Sequence, residues 1–92
     1  MKNHVRIYLD GMGFDDTDFI PCEVGPDNYS KCLGKATDVH HIEARGMGGT
    51  KKKDVIQNLM GLCRKCHEDF GDITEFKPML KRIHELRIPS GN

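Results

Sequence analysis

The chain has 92 residues, 37% of them hydrophobic, with 14 basic and 14 acidic side chains. That length makes one domain with a small core, and the formal net charge is zero. No apolar run approaches the roughly 20 residues of a membrane span, and no long apolar stretch follows the N-terminus as in a secretion signal, so a cytoplasmic protein without a membrane partner is expected.

The balanced charge is unevenly spread. Residues 1–30 carry two basic side chains against six acidic ones, a net of −4, and residues 31–92 carry twelve against eight, a net of +4. A polyanion would approach the second part.

In chain order, Val5, Tyr8, Leu9 and Met12 fall at helical spacing. Val5, Ile7 and Leu9 also alternate as in a strand, but the reading preferred is a short helix stopped near Gly13. Asp15-Asp16-Thr17-Asp18 reads as a loop. It lacks the ligand spacing and closing glutamate of a calcium-binding EF-hand. Between Cys22 and Cys32, Gly25-Pro26-Asp27-Asn28 is turn chemistry.

Lys35 to Ile42 predicts a strand, with Thr37 and Val39 β-branched. Glu43 to Gln57 holds Gly46, Gly48 and Gly49, then Lys51, Lys52 and Lys53, and reads as a long surface loop of the kind that is usually functional. Asn58 to Cys63 predicts a second strand, and Arg64 opens a helix that carries Cys66, His67 and Phe70 and stops at Gly71. Asp72 as N-cap, with Glu75 as its capping-box partner, starts a last helix over about 73–87. Pro78 is tolerable in its first turn. Phe76, Met79, Leu80, Ile83 and Leu86 form its expected core face, with Lys77, Lys81, Arg82 and Glu85 facing away.

A small core calls for a staple. The four cysteines could form two disulfides or one tetrahedral zinc site. A chain without a secretion signal favours metal. Cys63-x-x-Cys66, spanning a strand end and a helix start, is a common half of such a site, and the chain lacks the βαβ setting of a redox pair. Cys22 and Cys32 would complete it; the nine residues between them exceed the usual two to four, so their tip must loop out. Four thiolates leave no open position, so the zinc would be structural.

His67 follows Cys66 at about 100° around the helix, so it can face a second ion. His40 and His41 close the first strand. A regular strand would point them to opposite faces, so serving one site requires the strand to end or bulge there. An imidazole, with an ordinary pKa near roughly 6.5, suits a general base. A cation on His40 would keep His41 neutral.

His40-His41-Ile42, then Gly46-Met47-Gly48-Gly49, then Asn58-Leu59, then Leu62-Cys63-x-x-Cys66-His67 resembles the HNH endonucleases, the ββα-metal or His-Me finger nucleases, in their small zinc-containing form. The resemblance runs from about Cys22 to Gly71. It implies an α+β fold: one ββα-metal domain over residues 1–92, with a core at about 19–71, a four-cysteine zinc site, an N-terminal segment over 1–18 and an extra C-terminal helix. It implies a metal-dependent endonuclease hydrolysing DNA phosphodiester bonds, with RNA as the other substrate to consider. His41 resembles the general base and Asn58 the asparagine that pins the loop and orients that base. His40 and His67 look like the ligands of a catalytic divalent cation, Mg2+ or Mn2+, and Cys22, Cys32, Cys63 and Cys66 like those of structural Zn2+. Small HNH proteins of this kind are widespread in phages and prophages.

Arg45 and Arg64 flank the site and could clamp phosphates, as could Lys51, Lys52 and Lys53. Many family members carry a further histidine where this chain has Gly71, which leaves an open site with two protein ligands. That departure keeps a second reading alive: a zinc-stabilised nucleic-acid-binding module with a degenerate nuclease site. A purely structural zinc domain would leave the histidine and asparagine pattern unexplained.

Overall fold

The computed structural model describes residues 3–43 and 53–89. Helix α1 spans Asn3–Met12 and buries Tyr8 and Leu9, as its apolar spacing predicts. Gly13, at φ 80°, ends it in a conformation that favours glycine. A Cβ on Gly11 would lie 2.6 Å from Cγ1 of Ile56, so α1 rests hard against the turn Ile56–Asn58.

Strands β1, Asp38–His41, and β2, Leu59–Leu62, pair antiparallel, with His40 opposite Met60 and His41 opposite Leu59. Both are shorter than the sequence predicts. Lys35 pairs instead with Pro21, closing the loop that carries Cys22 and Cys32. A two-stranded sheet is marginal alone. Here β2 is buried throughout, because Leu59 joins Tyr8 and Leu9 of α1 while Met60 and Leu62 join Cys22, Val24, Cys63 and Cys66.

After β2, Cys63 caps helix α2, Arg64–Cys66, by accepting the Cys66 amide at its sulfur. The helix then widens into a π-turn over His67–Gly71. Helix α3, Lys77–Arg87, follows the 3-10 turn Thr74–Phe76. The expected capping box does not form: the turn and α3 start at Ile73 and Phe76, neither with a side-chain cap, and Asp72 lies elsewhere. Pro78 does occupy the first turn of α3.

The buried face of α3 also differs from expectation. Leu80 is buried and Ile83 packs beside it, but Leu86 is 72% exposed and His84 is 0% exposed. The reason is a polar lock. Glu23 accepts hydrogen bonds from the Tyr8 hydroxyl at 2.7 Å, the Gly61 amide at 2.8 Å and Nδ1 of His84 at 2.6 Å. The other His84 nitrogen lies 2.6 Å from the carbonyl of Ile56. Both nitrogens face acceptors, so His84 is an imidazolium paired with a buried carboxylate. This pair fixes the rotation of α3 and joins it to α1, β2 and the cysteine loop. Lys77 and Lys81 do not simply face solvent; they grip Glu43 at 3.1 and 2.7 Å. Their hydrogen bonds and charge bring the Glu43 carboxyl down to about 2.

Candidate active site

The sulfurs of Cys22, Cys32, Cys63 and Cys66 all lie within 4.8 Å of one another, and no disulfide joins them. Sulfurs about 2.3 Å from one tetrahedral ion stand roughly 3.8 Å apart; Cys63 and Cys32 are 3.9 Å apart. The long Cys22–Cys32 spacing is accommodated by the turn at Gly25, whose carbonyl accepts the amides of Asn28 and Tyr29. Backbone amides of Leu33 and Cys66 point at Cys63 Sγ, at 3.4 and 3.3 Å. Burial opposes ionisation of that thiol, but these amides and the neighbouring thiols outweigh it and bring it down to about 7. Burial pushes the Cys32 and Cys66 thiols up, so it is the spacing of the four sulfurs that fits a tetrahedral metal ion.

A second donor group forms on the other side of α2. His40 Nδ1 lies 3.1 Å from His67 Nε2, and the ligand atoms of His40, His67 and Asp72 lie within 4.8 Å of one another. His67 Nδ1 donates to Asp38 Oδ2 at 2.8 Å, so its Nε2 lone pair is the one turned toward His40. Arg64 holds the other Asp38 oxygen at 3.1 Å. Burial, reinforced by His67, lowers the His40 pKa and keeps that ring neutral, the form that can act as a ligand. His40 Nε2 is buried with no hydrogen-bond partner among the described residues.

Asp72 reaches this group because of the π-turn. Five residues along an α-helix lies about 140° around the axis. The wider turn over His67–Gly71 brings the fifth residue back toward the face of His67. Gly71, the fourth, is left against the rings: a Cβ there would sit 2.5 Å from Cδ2 of His67. The exposed Asp72 carboxylate thus stands beside His40 and His67, the two expected ligands, as a further candidate donor.

His41 is the last residue of β1, whose register runs without a bulge, and its partners are separate from those of His40. Its Nε2 lies 2.7 Å from Oδ1 of Asp54, and the ring of His4 in α1 is 5.0 Å away, centroid to centroid. Asn58 is buried, and among the described residues its side chain makes three hydrogen bonds to backbone: its oxygen accepts the Glu43 amide at 2.7 Å, and its nitrogen donates to the carbonyls of Glu43 and Lys53 at 3.0 and 2.9 Å. It ties together both ends of the glycine-rich loop. The His41 ring donates to Asp54, whereas the Asn58 amide donates to the loop backbone.

The HNH endonuclease family model matches residues 26–72, just over half of the chain. The chain belongs to the HNH endonuclease family. No curated protein and no solved structure matches it significantly.

Within this HNH domain the matched stretch begins after Cys22 and ends on Asp72, so α1 and α3 lie outside it. The structure brings His40 to His67, and the four cysteines to one another. Arg64 is exposed and committed to Asp38, and Lys53 contributes its carbonyl to Asn58. Arg45, Lys51 and Lys52 lie outside the described residues. Sequence reasoning missed Asp38, Asp54, Asp72 and His4. Asp38 was findable, because it shares a strand face with His40 at a spacing of two. The other three carry no local signal. Among the described residues, no helix of this HNH protein is long and apolar enough to cross a membrane.

Proposed function

We propose that this HNH domain is a divalent-metal-dependent endonuclease that hydrolyses DNA phosphodiester bonds, leaving 5′-phosphate and 3′-hydroxyl ends. The observation that carries the reading is the donor set His40, His67 and Asp72, within 4.8 Å of one another, on the residue next to the His41–Asp54 pair. A cation held there would stabilise charge on the phosphoryl group and on the leaving oxygen. Two imidazoles and one carboxylate suit Mn2+ at least as well as Mg2+.

His41 takes the proton from the attacking water. Asp38 orients His67, and Asn58 holds the loop that follows His41 at the spacing its three hydrogen bonds fix. Arg64, Lys53 and, outside the described residues, Arg45, Lys51 and Lys52 supply positive charge for backbone phosphates. Cys22, Cys32, Cys63 and Cys66 hold Zn2+ in a structural role. The nuclease unit runs from the cysteine loop to Asp72, with α1 and α3 as additions.

Plasmid nicking in Mg2+ or Mn2+ tests the reading. His41→Ala is expected to abolish nicking while zinc content and fold stay intact; full activity in that variant overturns the assignment. The rival, a binding module with a degenerate site, rested on Gly71. A third donor in Asp72 counts against that rival. Purified protein that binds DNA but cuts neither DNA nor RNA with any divalent ion would restore it.

A further inference from the structure

We propose that His41 is held in a clamp with one arm outside the family-matched stretch: Asp54 fixes the tautomer of its ring, and His4 of α1 fixes the ring's position. The inference rests on the assignment of His41 as general base.

The first arm is the 2.7 Å hydrogen bond between His41 Nε2 and Asp54 Oδ1, with the Asp54 side chain only 6% exposed. A carboxylate only accepts, so Nε2 carries the hydrogen and Nδ1 the lone pair. Nδ1 is thus the ring atom that can accept a proton. When water attacks, one water O–H bond breaks and its proton goes to Nδ1. The water oxygen forms the new bond to phosphorus, and the bond to the leaving oxygen breaks. The Nε2–H stays on the ring throughout, and Asp54 takes no proton. Asp54 is therefore a positioning residue.

The second arm is the His4 ring, 5.0 Å from that of His41 and tilted by 45°. Its placement does not depend on His4 itself. Helix α1 is anchored by Tyr8 and Leu9, at 1% and 3% exposure, by the Tyr8–Glu23 hydrogen bond and by the close approach of Gly11 to Ile56. The first turn of α1 is thus delivered to the end of β1 by contacts about one to two turns away. The family match starts at residue 26, so this wall of the site lies outside the matched stretch.

The test has a readout that needs no activity. In zinc-loaded protein with 15N-labelled histidine, long-range 1H–15N correlation spectra should show His41 as the Nε2–H tautomer. Asp54→Ala should give a mixture. A wild-type Nδ1–H tautomer, or an unchanged tautomer in Asp54→Ala, overturns the first arm. In plasmid nicking with Mn2+, Asp54→Asn should lower kcat about 100-fold or more with KM little changed, and Asp54→Glu should recover part of it. His4→Ala should lower kcat about 10-fold, and His4→Phe, which keeps a ring, should regain most of that. Full kcat in His4→Ala, or equal losses in His4→Ala and His4→Phe, overturns the second arm. Zinc content and far-ultraviolet circular dichroism confirm that each variant is folded. If wild type does not nick, or His41→Ala still does, the general-base reading fails on its own and the tautomer decides the clamp.

Discussion

Gly71 lies flush against the ring of His67: an added Cβ would stand 2.5 Å from Cδ2 of His67 and 3.3 Å from Cε1 of His40. No side chain fits there while the two rings face each other at 3.1 Å. Gly71→Ala is therefore expected to push His67 away from Asp38 and His40 and to weaken Mn2+ binding about 10- to 100-fold, read by calorimetric titration. Gly71→His, which restores the residue many family members carry, should also weaken binding. Tighter binding in Gly71→His would show that the π-turn does not hold the site.

Asn58 is the tie between the ends of the glycine-rich loop, at residues 43 and 53. Asn58→Ala leaves the Glu43 amide and two carbonyls without their partner at a buried position. The expected loss is about 2 to 4 kcal/mol, since each stranded buried group costs roughly 1 to 3. Urea unfolding of zinc-loaded protein measures it. A loss within experimental error would mean that the loop ends do not depend on this side chain.

The buried His84–Glu23 pair makes stability depend on pH. Burial alone would lower the His84 pKa, but the hydrogen bond and charge of Glu23, with the Ile56 carbonyl, more than reverse this and raise it. The unfolded value is near roughly 6.5. The stabilisation is therefore complete below about 6.5 and is lost as pH rises through the higher folded value. The urea midpoint of wild type should fall across that window. His84→Ala should cost about 3 to 5 kcal/mol by stranding the Glu23 carboxylate, and its profile should be flatter. A wild-type midpoint that does not change with pH rules the imidazolium out.

The cysteine cluster gives a prediction about metal removal. Cys22 and Cys32 come from the loop before β1, and Cys63 and Cys66 from the start of α2. Without an ion, four buried or half-buried thiols contribute little, and the core of this short chain is small. Chelation should release one zinc per chain and unfold α2 together with the cysteine loop, seen as loss of helical circular dichroism. Cys66→Ser should behave likewise without chelator. Retention of the full helical signal after zinc loss would overturn the structural role.

Much of this molecule is readable along the chain. Helix α1 follows from Val5, Tyr8, Leu9 and Met12, and its end from Gly13. The two strands and the helix after Cys63 follow from local patterning, though the strands are trimmed by the bridge between Pro21 and Lys35. Helix α3 is readable as a helix, but not its rotation. Leu86 has the periodicity of a core residue, yet His84 takes the interior because the buried Glu23 carboxylate pairs with it there.

The sequence by itself determined the chemistry on offer: two paired histidines, one asparagine, a third histidine and two cysteine pairs, in an order that fits one nuclease family. Side-chain type and spacing carry that information because ligand and base chemistry is a property of the residues. Only the tertiary structure decided which carboxylate meets which imidazole. Asp54 reaches His41 across 13 residues, Asp38 reaches His67 across 29, and Glu23 reaches His84 across 61. Those pairings depend on how strands and helices pack, and no local rule encodes them. Gly71 and Asp72 are the sharpest case: the wider turn over His67–Gly71 leaves Gly71 against the histidine rings and Asp72 beside their ligand atoms.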